Sequence, residues 1–419
     1  MKAYPAVWLT LCLLLIGQAT WAGSYIDSAH GDSPDGVNRS ATTEYSIGNC
    51  AHCHEMHASM EGSEPEPISG APAPFTLFAT NFNTSATSGP YSESDNFCFY
   101  CHNNSGSAQQ VVNYDYSRVY GCDTFGGPTS IFSAFNQTSY HNLEDIWNFA
   151  DGNVNFPWFK EYSNPCNACH NPHLAKRNWT DPDNPLLSSI SKPSDHFSLW
   201  GTTDLMSKYS SYEAPYCSGT ANREPGRTAV HDGSKTPDYV GFCTDCHKTG
   251  NTIYSTTLLR DLEEINWSSG GDKHGQQSRN GGIDIEEPYA SATNSNFVLS
   301  CLDCHEPHGA PNIMLIRRRV NGGDLDGTVS SSSNTLGYLC TRCHKDDADA
   351  GTGLLNEWKF VHHNSGDAPY PGPSSPCGDC HQPSDCNGSD CNPINCDHCH
   401  FHNGNDDWAG THKSGRITF

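Results

Sequence analysis

Eight times in 419 residues, two cysteines three positions apart are followed at once by a histidine. The copies are Cys50, Cys53 and His54; Cys98, Cys101 and His102; Cys166, Cys169 and His170; and Cys243, Cys246 and His247. Four more are Cys301, Cys304 and His305; Cys340, Cys343 and His344; Cys377, Cys380 and His381; and Cys396, Cys399 and His400. Two thiols and an imidazole in this order can bond one edge of a planar macrocycle twice and set a nitrogen beneath a metal at its centre. Cys-x-x-Cys-His is the attachment signature of a c-type haem. The repetition predicts eight covalent haem c groups, and electron transfer as the chemistry.

The spacing dictates the local structure. Residues three and four apart share one face of a helical turn, so both thiols reach the same plate edge and the histidine lies under the iron. Pro165 and Pro376 directly precede two of the motifs, and Asn49 and Ser300 precede two others. These residue types begin helices. A zinc ribbon needs four ligands per metal and no histidine fixed after each second cysteine. A dithiol redox motif occurs once, in a βαβ setting. Neither explains the same histidine eight times.

The chain holds 22 histidines, fourteen of them outside the motif position. Eight would close every iron on its second side. His57, His173 and His308 each follow a motif histidine by three residues. The linking chain is too short for them to reach the far face of the same plate, so they are candidates to ligate a neighbouring haem. His30, His141, His274 and the pair His362 and His363 have small or polar neighbours that would let the backbone approach a porphyrin. His231 completes the set, with His196, His402 and His412 in reserve. His52 and His398 lie between motif cysteines and are expected to face solvent. Met56, Met60, Met206 and Met314 are alternative ligands that so many histidines make unnecessary. Paired imidazole ligation leaves no open coordination site and gives a lower potential than histidine with methionine.

Lys2 followed by an apolar run from Ala6 to Ile16, with Thr20 and Ala22 as small residues before a cut, reads as a secretion signal. The run is too short to span a membrane, and no later stretch reads as a transmembrane segment or as a membrane β-barrel. Export fits the four further cysteines, Cys122, Cys217, Cys386 and Cys391, for which three pairings exist. The tight Cys386 to Cys391 spacing favours that pair, and with it Cys122 to Cys217. The formal net charge of −24 makes nucleic acid and anionic lipid poor partners. Basic proteins, cationic carriers or mineral surfaces are better ones. Arg317, Arg318 and Arg319 form a basic run that either pairs with haem propionates or stands in solvent.

With 35% hydrophobic residues, 38 glycines and 26 prolines, the chain is poor in material for an apolar core of its own. The expected fold class is a multihaem cytochrome c, loop-rich, with short α-helices wrapped around a chain of haems and little β-structure. Burial of the porphyrin faces would drive its folding. Residues 1–22 form the signal peptide, 23–120 an N-terminal module with the first two motifs, 121–335 a central module with three, and 336–419 a C-terminal module with three. Residues 62–74 read as a loop and 321–335 as a linker. Leu258, Leu259, Leu262 and Ile265 predict a helix over 255–267, and a weaker helical pattern covers 143–149. Aromatic residues such as Trp147, Trp158 and Phe242 are expected to pack against haem or core.

These motifs resemble those of the exported multihaem c-type cytochromes of metal-reducing bacteria. Residues 166–173 and 301–308 look like that group's doubled haem motif, and 50–57 is similar to the opening motif of its outer-surface and filament-forming members. The resemblance implies extracellular electron transfer through a porin–cytochrome conduit, a surface cytochrome or a cytochrome filament, with location in the periplasm or at the outer-membrane surface. It implies other cytochromes or redox carriers as partners, an outer-membrane porin, or further copies of the chain in a filament. The competing class is an octahaem oxidoreductase acting on nitrogen or sulfur oxyanions or on hydroxylamine, which keeps one haem open. Several such enzymes carry lysine in place of one motif histidine, and no such motif occurs here. A charge-storage protein is a third reading.

Overall fold

The computed structural model describes residues 25–28, 30–31, 36–39, 44–54, 77, 89–103, 128, 130–154, 156–173, 239–247, 254–255, 260–261, 274, 299–321, 323–330, 337–340, 342–343, 386–387 and 390–391. Regular structure within them is sparse. The α-helices are Ile131–Ala134 (α1), Leu143–Ala150 (α2), Val240–Cys243 (α3), Cys301–Cys304 (α4) and Gly337–Cys340 (α5). Eight two-residue strands form four antiparallel ladders. Ser139–Tyr140 (β1) pairs across the chain with Gly309–Ala310 (β4). The other three are local: Tyr254–Ser255 (β2) with Arg260–Asp261 (β3), Arg319–Val320 (β5) with Gly323–Asp324 (β6), and Cys386–Asn387 (β7) with Asp390–Cys391 (β8).

Helix α2 matches the pattern read over 143–149. Its start is fixed by Asn142, whose side-chain oxygen accepts the N–H groups of Glu144 at 2.9 Å and Asp145 at 3.1 Å. Glu144 and Asp145 add negative charge to the first turn, where the helix dipole favours it. Leu143 belongs to one apolar cluster, with Tyr91, Phe99 and Phe135. Ala150, at the other end, belongs to a second, with Phe156, Phe159 and Ala168. Ile146 packs against both, so this one helix couples two small aromatic cores. Trp147 and Trp158 pack against the second cluster, in keeping with the packing role expected of them.

Where a helix is expected over 255–267, Tyr254–Ser255 and Arg260–Asp261 pair instead as antiparallel strands, and residues 256–259 and 262–267 lie outside the described residues. Helical spacing of the leucines was the misleading signal. Thr252, Ile253, Thr256 and Thr257 are β-branched and favour extended backbone. The linker reading at 321–335 also meets structure. Val329 is buried and its N–H donates to Asn312 Oδ1 at 2.9 Å. Arg342, between the cysteines of the sixth motif, donates through Nε to Val320 O at 3.0 Å and accepts at its own carbonyl from Asn321 Nδ2 at 2.7 Å. Val320 and Cys343 share a buried cluster, with Cys304 and Leu339 packed against it.

The basic run divides by position. Arg317 is buried and donates to Leu302 O at 2.9 Å. Arg318 is half-exposed and lies 3.6 Å from Asp324 across the β5–β6 hairpin. It is not a uniform solvated face.

The β1–β4 ladder pins residue 141 near residue 308, and it needs glycine at 309. A Cβ at Gly309 would stand 1.9 Å from the carbonyl oxygen of Ala134. Only a residue without that atom permits the approach.

Candidate metal centres

The motif cysteines sit on a recurring turn. The N–H of each following histidine bonds back to the first cysteine's carbonyl: His54 to Cys50 at 2.8 Å, His102 to Cys98 at 2.9 Å, His170 to Cys166 at 2.8 Å, His247 to Cys243 at 3.0 Å and His305 to Cys301 at 2.9 Å. Asparagine caps three of the turns. Asn49 accepts the Ala51 N–H, Asn96 the Cys98 N–H and Asn164 the Cys166 N–H, each at 2.9 Å. At the fifth motif Asp303 Oδ2 accepts the Ser300 N–H at 2.7 Å. The helix-starting residues noted at Asn49, Pro165 and Ser300 therefore stand at real turn starts. Asn96 and Asn164, each two residues ahead of a first motif cysteine, are caps that those signals did not include.

Asn96 and Asn164 also join two motifs. Asn96 Nδ2 donates to Asn164 Oδ1 at 3.0 Å, and Asn164 Nδ2 donates to Asn96 Oδ1 at 2.9 Å. Both side chains are fully buried. The second and third motifs, read from sequence as lying in separate modules, are thus clamped side by side.

The histidines come together in pairs. His54 faces His173 with ring centres 5.9 Å apart, His102 faces His30 at 6.1 Å, His170 faces His308 at 6.1 Å and His247 faces His141 at 6.1 Å. Every one of these pairs joins a motif histidine to a histidine outside the motif position. The ring planes meet at 13°, 65°, 8° and 24° respectively. Aromatic rings in ordinary contact span this distance range, so distance alone decides nothing. The composition of the pairs is what distinguishes them. With metal–imidazole bonds of about 2.0 Å and roughly 1.1 Å from nitrogen to ring centre, two imidazoles trans on one metal have centres about 6.2 Å apart. The paired rings fit an iron held between two histidines.

Second contacts fix the ring orientations. His30 Nδ1 donates to the carbonyl of Pro172 at 2.9 Å, and His141 Nδ1 to the carbonyl of Pro307. His305 Nδ1 donates to the carbonyl of Met314 at 2.8 Å. A proton held on Nδ1 leaves Nε2 as the electron-pair donor. Met314, weighed above as an axial ligand, contributes this carbonyl instead, while its side chain is half-exposed. Both Met314 and Leu315 adopt left-handed backbone, with φ of 56° and 60°, which is uncommon for residues other than glycine.

Burial lowers the tendency of His141 and His173 to take a proton, which keeps them as neutral donors. Burial likewise pushes the Cys53 thiol up to about 12 and those of Cys101 and Cys169 up to about 11. A dithiol redox couple shows the opposite, a thiol of lowered pKa. Among the described residues, no cluster of three or more His, Cys, Asp or Glu side chains is arranged to hold a metal ion. A haem iron asks the protein for at most two axial ligands, fewer than such a cluster supplies.

One reading is corrected. His52, expected in solvent, is 0% exposed. Its Nδ1 accepts the Arg39 N–H at 3.2 Å and its Nε2 donates to Ser46 O at 3.0 Å, so it ties the first motif to the preceding loop. The small neighbours of His30 and His141 also serve the chain itself. A Cβ on Gly31 would stand 2.0 Å from Tyr25 O, and Asn142 caps α2. His57, His231, His344, His362, His363, His381 and His400 lie outside the described residues, as do Cys377, Cys380, Cys396 and Cys399. His274 is described and half-buried. Among the described residues, no helix is long and apolar enough to cross a membrane. No family model, no curated protein and no solved structure matches this chain.

Proposed function

We propose that this chain is an exported octahaem c-type cytochrome that carries electrons in extracellular respiration, as a conduit component, a surface cytochrome or a filament subunit. The observation that carries this reading is the pairing of His54, His102, His170 and His247 with His173, His30, His308 and His141, each beside a motif cysteine pair on the same turn. Cys50 and Cys53, and their counterparts in the other motifs, would hold the macrocycles, and the paired histidines would hold the irons. When bound, the haem supplies a one-electron ferric–ferrous couple.

The residues of the chain then do three things. The paired imidazoles would hold each iron from both sides, so a change of its charge would need little movement of the chain. Carbonyls of Pro172, Pro307 and Met314 hold ring tautomers and orientations. A short histidine-to-histidine link brings two centres together: His170 and His173, only three residues apart, serve different pairs. The acidic surface suits a cationic or basic redox partner, with other cytochromes or an outer-membrane porin as the neighbours in a conduit. Export into an oxidising compartment is part of the same proposal.

Intact mass of the secreted protein, together with its paramagnetic-resonance spectrum, tests this reading. Eight added haem masses and wholly low-spin ferric iron are expected. A mass without them would refute it. A high-spin iron, or carbon monoxide binding by the reduced form, would move the assignment to an oxidoreductase with one open haem.

A further inference from the structure

The two described doubled motifs have the same backbone device and differ by one charge. In residues 170–173 the Asn171 side-chain oxygen accepts the N–H of His173 at 3.1 Å. In residues 305–308 the Glu306 carboxylate takes that place, with Oε1 3.4 Å from the N–H of His308. Glu306 does more than cap. The same Oε1 lies 3.2 Å from Nδ1 of the His308 ring. The carboxylate is 8% exposed, so water screens its charge little. Around the same ring stand Phe135, with ring centres 5.8 Å apart, and His170 at 6.1 Å.

A ring N–H that donates to a carboxylate makes the imidazole a stronger electron donor through its other nitrogen. A stronger axial donor and a nearby fixed negative charge both favour the more positive, ferric state. Resting on the cytochrome reading above, we propose that Glu306 is a potential-setting residue. It makes the His170–His308 centre more reducing than the His54–His173 centre, whose second histidine is capped by an uncharged amide. The sequence of the doubled motif thus encodes an energy step along the chain, one residue after the motif histidine.

Glu306→Gln keeps an oxygen that can cap the His308 N–H and removes the charge. Asn171→Glu makes the reverse change at the other motif. Both are read by optical redox titration of the secreted holoprotein, with intact mass giving the haem count. In E306Q the midpoint of the His170–His308 centre is expected to rise most, with a smaller rise at the His247–His141 centre, whose His141 also feels the Glu306 charge. In N171E one different midpoint is expected to fall. Full haem content with unchanged midpoints in either variant overturns the inference and leaves the cytochrome reading intact. Absence of haem from the wild-type protein sinks the reading itself. If E306Q is not secreted, N171E alone decides.

Discussion

Replacing Asn164 with alanine should loosen the clamp between the second and third motifs, and the size of the effect can be built from its contacts. Asn164 Oδ1 accepts from Cys166 N–H at 2.9 Å and from Asn96 Nδ2 at 3.0 Å, and Asn164 Nδ2 donates to Asn96 Oδ1 at 2.9 Å. Loss of the cap costs about 1 kcal/mol. Two amide–amide bonds are worth about 1 kcal/mol each. The Asn96 amide is then left buried without this partner, at a further cost of about 1 kcal/mol or more. The sum is about 4 kcal/mol, a large share of the ~5–15 kcal/mol of a typical domain. Removing both asparagines leaves neither amide stranded, so the two changes should couple by about 1–2 kcal/mol in a double-mutant cycle. Urea unfolding of the secreted protein, followed by far-ultraviolet circular dichroism, measures each corner of the cycle. Additivity within about 0.5 kcal/mol would show that the two side chains do not act on each other, and would refute the clamp.

Three further outcomes are expected. In the proposed cytochrome, His173→Ala should create a high-spin signal from the haem that Cys50 and Cys53 would hold, not from the one that Cys166 and Cys169 would hold; a change confined to the latter would contradict the cross-motif pairing. Ring planes at 8°, 13° and 24° should give rhombic low-spin resonances, and the 65° pair of His30 with His102 a more anisotropic one; a single signal type for these four centres would count against the geometry. Gly309→Ala should lower the melting temperature, since its Cβ would meet Ala134 O at 1.9 Å; a loss of at least 2 kcal/mol is expected, as for other enforced core clashes of about 1–3 kcal/mol.

Local geometry was the legible part of this chain. Cys-x-x-Cys-His spacing implies one turn, and five motifs show the same backbone bond from histidine to first cysteine. Helix α2 was legible too, because its apolar residues and its Asn142 cap agree. What the sequence withheld was direction. It offered His30, His141, His173 and His308 as candidates but not which motif histidine each would face, since pairing is set by chain paths between distant segments. The burial of His52 depends on Arg39 and Ser46 converging on one ring, and no local pattern announces that. The Asn96–Asn164 clamp joins residues far apart in the chain, although an asparagine two places before the first cysteine was a visible sign of a cap. At the start of 255–267 the leucine spacing misled, because a β-branched neighbourhood prefers the strand pairing that Ser255 and Arg260 adopt.

The pairing of histidines also orders events in time. His30 and His141 precede the motifs they face, so in the proposed exported cytochrome those two centres would hold both imidazoles as soon as their own motif had crossed the membrane. His54 and His170 face residues that emerge later, His173 and His308. In vectorial secretion the first and third centres would therefore spend an interval with one axial side supplied by solvent or by an assembly factor. Truncation after residue 172 would strand the first centre in that half-ligated condition, while the second, served by His30 and His102, would be complete.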